Sequence, residues 1–283
     1  MEPSVVGVIG GGVMGSGIAQ VFAQRSLHVV LVEIDDAACG SAVERLRTSL
    51  ARYSAKAGTI ASDEAVAPVL DRIRATTTLS DLRECDLIVE AAPEVQSLKV
   101  ELFRELGQVT TPGTVLATNT SSVPIIHLGT ASGRAEDVIG LHFFNPVPTM
   151  RLVEIIPSVL TAPSLVERMQ DLVLNVLGKS PVLAKDRAGF LVNTLLVPYL
   201  LAAVRMYEAG GATAEDIDRA MTLGCGHPIG PLALCDLIGL DTVEAIGHSM
   251  YEEFKEPQYA PPPLLNRMVA AGLLGRKSGR GFY

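Results

Sequence analysis

The chain has 283 residues, 48% of them hydrophobic and 19% charged, with a formal net charge of -8. That apolar content excludes a disordered chain, and the acidic balance argues against general affinity for nucleic acid, so an acidic ligand has to be met by local donors. The length predicts two domains, and a mean hydropathy of +0.33 leaves apolar surface for a partner subunit to cover.

In chain order, Val5 to Ile9 reads as a short strand, Ser16 to Arg25 as an amphipathic helix and His28 to Val32 as a second strand. Ser41 to Lys56 carries apolar residues at helical spacing. Asp86 to Glu90 and Thr114 to Thr118 repeat the strand pattern on either side of a helical stretch, Leu98 to Leu106. Val138 to Phe144 is apolar almost throughout, as suits a strand buried on both faces, and Leu152 to Ile156 is a further apolar run. Such alternation predicts an α/β fold, a mostly parallel sheet with helices on both faces. After Lys185 to Gly189 the strand signals fade, and Phe190 to Glu208, Ala214 to Leu223 and Leu264 to Ala271 read as helices. The expected boundary separates a dinucleotide-binding domain over 1–186 from a smaller all-helical domain over 187–283 that serves substrate and dimer contacts.

Cys39, Cys85, Cys225 and Cys235 have neither C-x-x-C spacing nor a histidine pattern for zinc, so no metal is expected and reduced cytoplasmic thiols are the simplest reading. The chain opens without the basic and small-residue pattern of a signal peptide. Its longest apolar stretch, Leu195 to Val204, is interrupted by Pro198 and too short to span a bilayer. The apolar run from His227 to Leu240 reads as a buried subunit interface, with His227 itself structural, in a turn before a helix.

Gly10-Gly11-Gly12-Val13-Met14-Gly15 fits G-x-G-x-x-G after a strand and at the start of a helix, the context of a Rossmann-type dinucleotide site. The glycines allow close approach of a diphosphate to the helix N-terminus. Glu33, at the end of the second strand, can accept both ribose hydroxyls and would repel a 2′-phosphate, while Ile34-Asp35 supplies no arginine to receive one. NAD is therefore expected over NADP. Asn119-Thr120-Ser121-Ser122 follows a strand at its carboxyl end, where ligands collect in open α/β sheets; a helix cap is the competing role for Ser121 and Ser122. His142 and Glu154 each sit inside an apolar run. A carboxylate there needs a donor, and His142, Arg151 and Lys185 are the candidates; a histidine oriented by a carboxylate is what a general base requires.

The chain resembles the 3-hydroxyacyl-CoA dehydrogenase family along essentially its whole length. The motifs are N-T-S-S at 119–122, G-L-H-F-F-N-P-V-P at 140–148, L-V-E at 152–154, G-F-L-V-N at 189–193, H-P-I-G-P at 227–231 and G-R-K-S-G-R-G-F-Y at 275–283. The resemblance implies that His142 is the base for a substrate 3-hydroxyl, oriented by Glu154, and that Ser121 and Asn193 hydrogen-bond the reacting oxygen or the acyl carbonyl. It implies that Glu94 and Lys99 touch the nicotinamide half of NAD, that Asn119 and Asn145 lie beside the cofactor, and that Lys277 is another cofactor contact. Ser49 and Lys56 match contacts to coenzyme A. Two departures matter: the usual lysine cluster thins to Arg52-Tyr53-Ser54-Ala55-Lys56, and Glu33 replaces the more usual aspartate. The thinned cluster leaves room for a second carrier, the same hydroxyacyl group on acyl carrier protein. A non-catalytic NAD-binding scaffold is opposed by the presence of Ser121, His142, Glu154 and Asn193 together. Two-domain NAD enzymes of the 6-phosphogluconate or hydroxyisobutyrate type use a lysine of the helical domain, whereas here the chemistry falls on His142.

Overall fold

The computed structural model describes residues 3–56 and 63–283, with the side chains of 54–56 and 63–65 outside that description. It divides into two compact units, Met1–Asp186 and Arg187–Tyr283.

The first unit is built on an eight-stranded sheet. Its strands are β1 (Val5–Ile9), β2 (His28–Val32), β3 (Ile73–Thr76), β4 (Leu87–Glu90), β5 (Val115–Thr118), β6 (Val138–Phe143), β7 (Leu152–Pro157) and β8 (Ser180–Leu183). The spatial order is β3-β2-β1-β4-β5-β6-β7-β8. The first six strands run parallel, each step being a crossover through helical segments. β7 runs antiparallel to β6, with β8 parallel to β7. Only residues 144–151 join β6 to β7, too few for a crossover, and that short link forces the reversal. Among the described residues, six α-helices complete the unit: α1 (Val13–Gln24), α2 (Asp36–Lys56), α3 (Asp63–Leu70), α4 (Gln96–Val109), α5 (Ile125–Ser132) and α6 (Pro163–Asp171).

The central strands β4, β5 and β6 are buried at every position, which is why their sequences are continuous apolar runs. Ile18, Phe22, Leu31, Val89, Leu141, Phe143 and Ile155 share one core cluster between sheet and helices. β3 and β8 escape a sequence reading because they are edge strands with half-buried faces and no apolar run. In β6, Gly140 lets α5 and β7 close in: a Cβ there would stand 2.9 Å from Ile156 Cβ and 3.0 Å from Ile125 Cδ1.

The second unit is helical: α7 (Val192–Glu208), α8 (Ala214–Cys225), α9 (Pro231–Ile238), α10 (Leu240–Phe254) and α11 (Pro263–Ala270). Leu200, Leu201, Leu232, Cys235, Leu240, Met250 and Leu265 form its core. In the run from His227 to Leu240, expected at a subunit interface, Leu232, Cys235 and Leu240 are buried by their own unit, while Leu237 is 49% exposed. α7 continues through Pro198 instead of breaking. Gly239, at φ +103°, turns the chain between α9 and α10, a conformation that favours glycine. His227 accepts or donates a 3.0 Å hydrogen bond with the Tyr199 hydroxyl inside this unit. The C-terminal residues are strapped down by two buried aspartates: Asp236 accepts from the Phe282 and Tyr283 amides, and Asp218 from the Tyr283 hydroxyl at 2.9 Å. Among the described residues, no helix is long and apolar enough to cross a membrane.

Candidate active site

The glycine turn sits between β1 and α1, next to the point where strand order reverses from β2 to β4 around β1. Gly10 has φ +88°, and a Cβ there would meet Ala91 O at 2.8 Å. A Cβ on Gly15 would fall 1.7 Å from Gly10 O, so helix and turn approach as closely as they do only with glycine. Gly12 faces open space, and α1 starts there with neither a side-chain cap nor an acidic residue in its first turn. Its first amides are therefore offered to an anionic ligand, with Val13 exposed and Met14 half-buried beside them. Glu33 lies against the turn: its Oε1 accepts from the Gly11 amide at 2.6 Å, and Oε2 from the Ile34 amide at 3.1 Å. The residues of this turn fit a dinucleotide with a diphosphate on the helix and a ribose at Glu33.

At the carboxyl end of β6, His142 pairs in register with Glu154 of β7. Glu154 Oε2 stands 2.7 Å from His142 Nδ1, and both side chains are buried. The opposing carboxylate favours the tautomer that carries its proton on Nδ1 and turns an Nε2 lone pair outward. Ser121 Oγ lies 3.2 Å from that Nε2. Of the three candidate partners for Glu154, the histidine is the one in place. The Phe144 ring packs edge-on to the imidazole, with centroids 4.6 Å apart.

The turn carrying Ser121 is shaped by Glu94. Glu94 Oε1 accepts from Thr120 Oγ1 at 2.5 Å, from the Ser121 amide at 2.8 Å, and from the Ser122 amide and hydroxyl at 3.0 Å each. Burial raises the pKa of this carboxyl, but the charge of Lys99 and the hydrogen bonds from Thr120, Ser121 and Ser122 outweigh it, and the net direction is downward. Ser121 and Ser122 do not cap a helix, as one expectation had it. The Ile125 and Ile126 amides that open α5 are met by Asp186, at 2.8 and 3.0 Å.

Lys99 is placed differently from the cofactor contact that the resemblance implies. Its side chain is 1% exposed, and its ammonium donates to Glu90 Oε1 at 2.6 Å and Ala92 O at 3.1 Å while pairing with Glu94 Oε2 at 3.3 Å. Two of its hydrogens go to Glu90 and Ala92 and its charge faces Glu94, so Lys99 bears on the site through Glu94. Glu90, at the end of β4, also accepts from Thr118 Oγ1 at 2.6 Å and the Ala92 amide at 2.7 Å. Thr120 belongs to the N-T-S-S motif, whereas Glu90 and Thr118 entered the sequence reading only as strand residues. The signal was present in Glu90, a carboxylate closing an apolar strand shortly before a lysine.

Asn119 joins β5 to β6, its Oδ1 accepting from the Phe143 amide at 2.8 Å. Ser49 and Asn145 line one cleft of about 980 Å³ beside α1 and α2, with Val13, Arg45, Arg52 and Pro146. Arg45 Nε donates to Gly11 O at 2.9 Å, tying that cleft to the glycine turn. The side chain expected at Lys56 lies outside the described residues. Asn193 and Lys277 belong to the second unit: Asn193 is buried near the start of α7, and Lys277 is ion-paired with Asp241.

Comparison with known proteins agrees with this architecture. Residues 5–187 match the 3-hydroxyacyl-CoA dehydrogenase NAD binding domain, and residues 189–283 match the C-terminal domain of the same family. A 3-hydroxybutyryl-CoA dehydrogenase of Mycobacterium tuberculosis is 49% identical over 279 residues, covering 98% of this chain and 97% of the relative. The crystal structure of M. tuberculosis FadB2 superposes with a TM-score of 0.97 at 48% identity, covering 100% of this chain and 99% of that one. That of (S)-3-hydroxybutyryl-CoA dehydrogenase PaaH1 from Ralstonia eutropha gives 0.92 at 42% identity, with the same coverage. With both halves matched in order and a histidine–carboxylate pair in the same sheet as the glycine turn, the chain belongs to the 3-hydroxyacyl-CoA dehydrogenase family.

Proposed function

We propose that the protein catalyses the reversible, NAD-dependent oxidation of an (S)-3-hydroxyacyl-CoA, of short chain such as 3-hydroxybutyryl-CoA, to the 3-oxoacyl-CoA. The observation that carries the mechanism is the geometry at His142, with Glu154 on Nδ1 and Ser121 on Nε2.

Bound NAD⁺ supplies the hydride acceptor for carbon 3. His142 takes the hydroxyl proton on Nε2, and Glu154 stabilises the imidazolium that results. In the reducing direction the same imidazolium returns the proton. Ser121 donates a hydrogen bond to the substrate oxygen, where preorganised donors help most because charge changes there. Glu94, held by Lys99, keeps the Ser121 turn in position. Glu33 accepts from the adenosine ribose, and Ser49 and Asn145 hold the acyl-CoA and the cofactor edge from the cleft they share. The roles of Asn193 on the substrate oxygen and of Lys277 and Lys56 on the nucleotides rest on the sequence motifs alone.

Leu195 and Leu223, 73% and 74% exposed on the second unit, support a homodimer, which sedimentation at micromolar concentration tests. Four cysteines without C-x-x-C spacing support a cytoplasmic enzyme. The decisive experiment follows NADH oxidation with 3-oxoacyl thioesters of increasing length on coenzyme A, and with the same acyl groups on acyl carrier protein. Turnover of acetoacetyl-CoA is expected. Turnover of the carrier-protein thioester alone would overturn the assignment of carrier.

A further inference from the structure

The cleft that holds Ser49 adjoins a second one of about 680 Å³, the two sharing Tyr53, Pro148 and Thr149 as walls. Both are built from the first unit. Among the described residues, their walls hold five cations, Arg25, Arg45, Arg52, Arg151 and Lys179, against a single carboxylate, Glu44, which already pairs with Arg47 at 3.7 Å. Among the described residues, none of the five has a carboxylate at ion-pair distance. In a chain of net charge -8 this grouping runs against composition, and clustered cations without counter-charges point to an anionic ligand.

The second cleft is fixed in shape. Lys179 is buried and donates to Val147 O at 2.7 Å and Met150 O at 2.6 Å, which pins the loop forming the shared wall. Arg25 is exposed and donates through Nη2 to Leu177 O at 2.9 Å. Gly178 makes room for it, since a Cβ there would stand 2.7 Å from Arg25 Nη2. Burial, and then the charge of Arg25, depress the Lys179 pKa, so the two cations stand near enough to repel each other. Arg151 is exposed, and among the described residues its guanidinium has no hydrogen-bond partner.

We propose that this second cleft receives the phosphorylated nucleotide end of coenzyme A, with Arg25 and Arg151 as phosphate ligands and Arg52 at the junction. It takes over the charge of the lysines that are missing around Lys56. The inference rests on the CoA reading above and deepens it. An acyl carrier protein presents phosphopantetheine without the nucleoside or its 3′-phosphate, so the cleft favours the free coenzyme. Lys179 is spent on loop carbonyls and shapes the site.

The test uses the full chain and two measurements. Arg25→Gln and Arg151→Gln are each expected to raise KM for acetoacetyl-CoA by about three- to tenfold with little change in kcat. For acetoacetyl-pantetheine, which lacks the nucleotide, KM should not move. Arg104→Gln, an exposed change on α4 outside both clefts, controls for net charge. Arg151→Gln guards against a folding defect, because it removes no hydrogen bond among the described residues. Calorimetry with adenosine 3′,5′-bisphosphate is the second arm, and binding should weaken in both variants. Equal KM shifts for both thioesters, or bisphosphate binding that the variants leave unchanged, would overturn the site. An enzyme active only on carrier-protein thioester would defeat the CoA reading, and calorimetry would then decide the cleft separately.

Discussion

His142 and Glu154 are directly opposed residues of an antiparallel strand pair, and that register sets the 2.7 Å contact between imidazole Nδ1 and carboxylate. A one-residue slip would turn one of the two side chains to the other face of the sheet and separate them. The pair is held by backbone pairing within one sheet, a rigid way to orient a base.

Replacing His142 with Gln should lower kcat by roughly 10² to 10⁴ while NADH binding, followed by fluorescence titration, changes little. Glu154→Gln retains a neighbour for Nδ1 but loses the charge that stabilises the imidazolium, so a smaller loss, chiefly in kcat, is expected. Normal turnover in His142→Gln would exclude it as the base.

Lys99 and Glu90 are 1% and 0% exposed, so deleting Lys99 leaves Glu90 a buried carboxylate without its cation. Lys99→Met should cost about 3–5 kcal/mol in urea unfolding, and the double variant Lys99→Met/Glu90→Gln should recover much of it. If Lys99 works through Glu94, kcat should fall in the single variant even where the protein remains folded. Equal losses in the single and double variants would remove the argument for an uncompensated buried charge.

The carboxyl of Glu94 is held below its ordinary value of 4.5. A carboxyl with a lower pKa folded than unfolded contributes its stability above the unfolded value, and that contribution fades as pH falls through the folded one. Glu94→Gln should therefore be less stable than wild type at about pH 7, with the gap closing below about pH 4. Urea midpoints across that range measure it; a gap independent of pH would contradict the ion pair.

Glu33 should exclude the 2′-phosphate of NADPH by charge. Wild type is expected to bind NADH more tightly than NADPH, and Glu33→Gln should narrow that preference, mainly by improving NADPH binding. Titration of both reduced cofactors checks this, and tighter NADPH binding by wild type would reverse the assignment.

The chain announced its glycine turn, the strands β1, β2, β4, β5 and β6 and the identity of the histidine and carboxylate, because buried parallel strands and tight turns admit few residue types. It did not announce β3 or β8, whose edges tolerate ordinary polar residues, nor α10, which follows α9 after a single glycine. From sequence, Glu154 had three candidate partners and Ser121 two candidate roles. Strand register chose His142 for the first, and the Glu94 cradle turned Ser121 toward His142 for the second. Lys99 reads as buried support because Glu90 and Ala92 accept its hydrogens and its charge pairs with Glu90 and Glu94. The cations Arg25, Arg52 and Arg151, far apart in the chain, came to adjoining clefts only in three dimensions. Local chemistry and periodicity are written in neighbouring residues, so the sequence determined the dinucleotide turn and the class of catalyst. Partner choice depends on which distant side chains the sheet and helices bring within hydrogen-bond reach, and only the tertiary structure decided that.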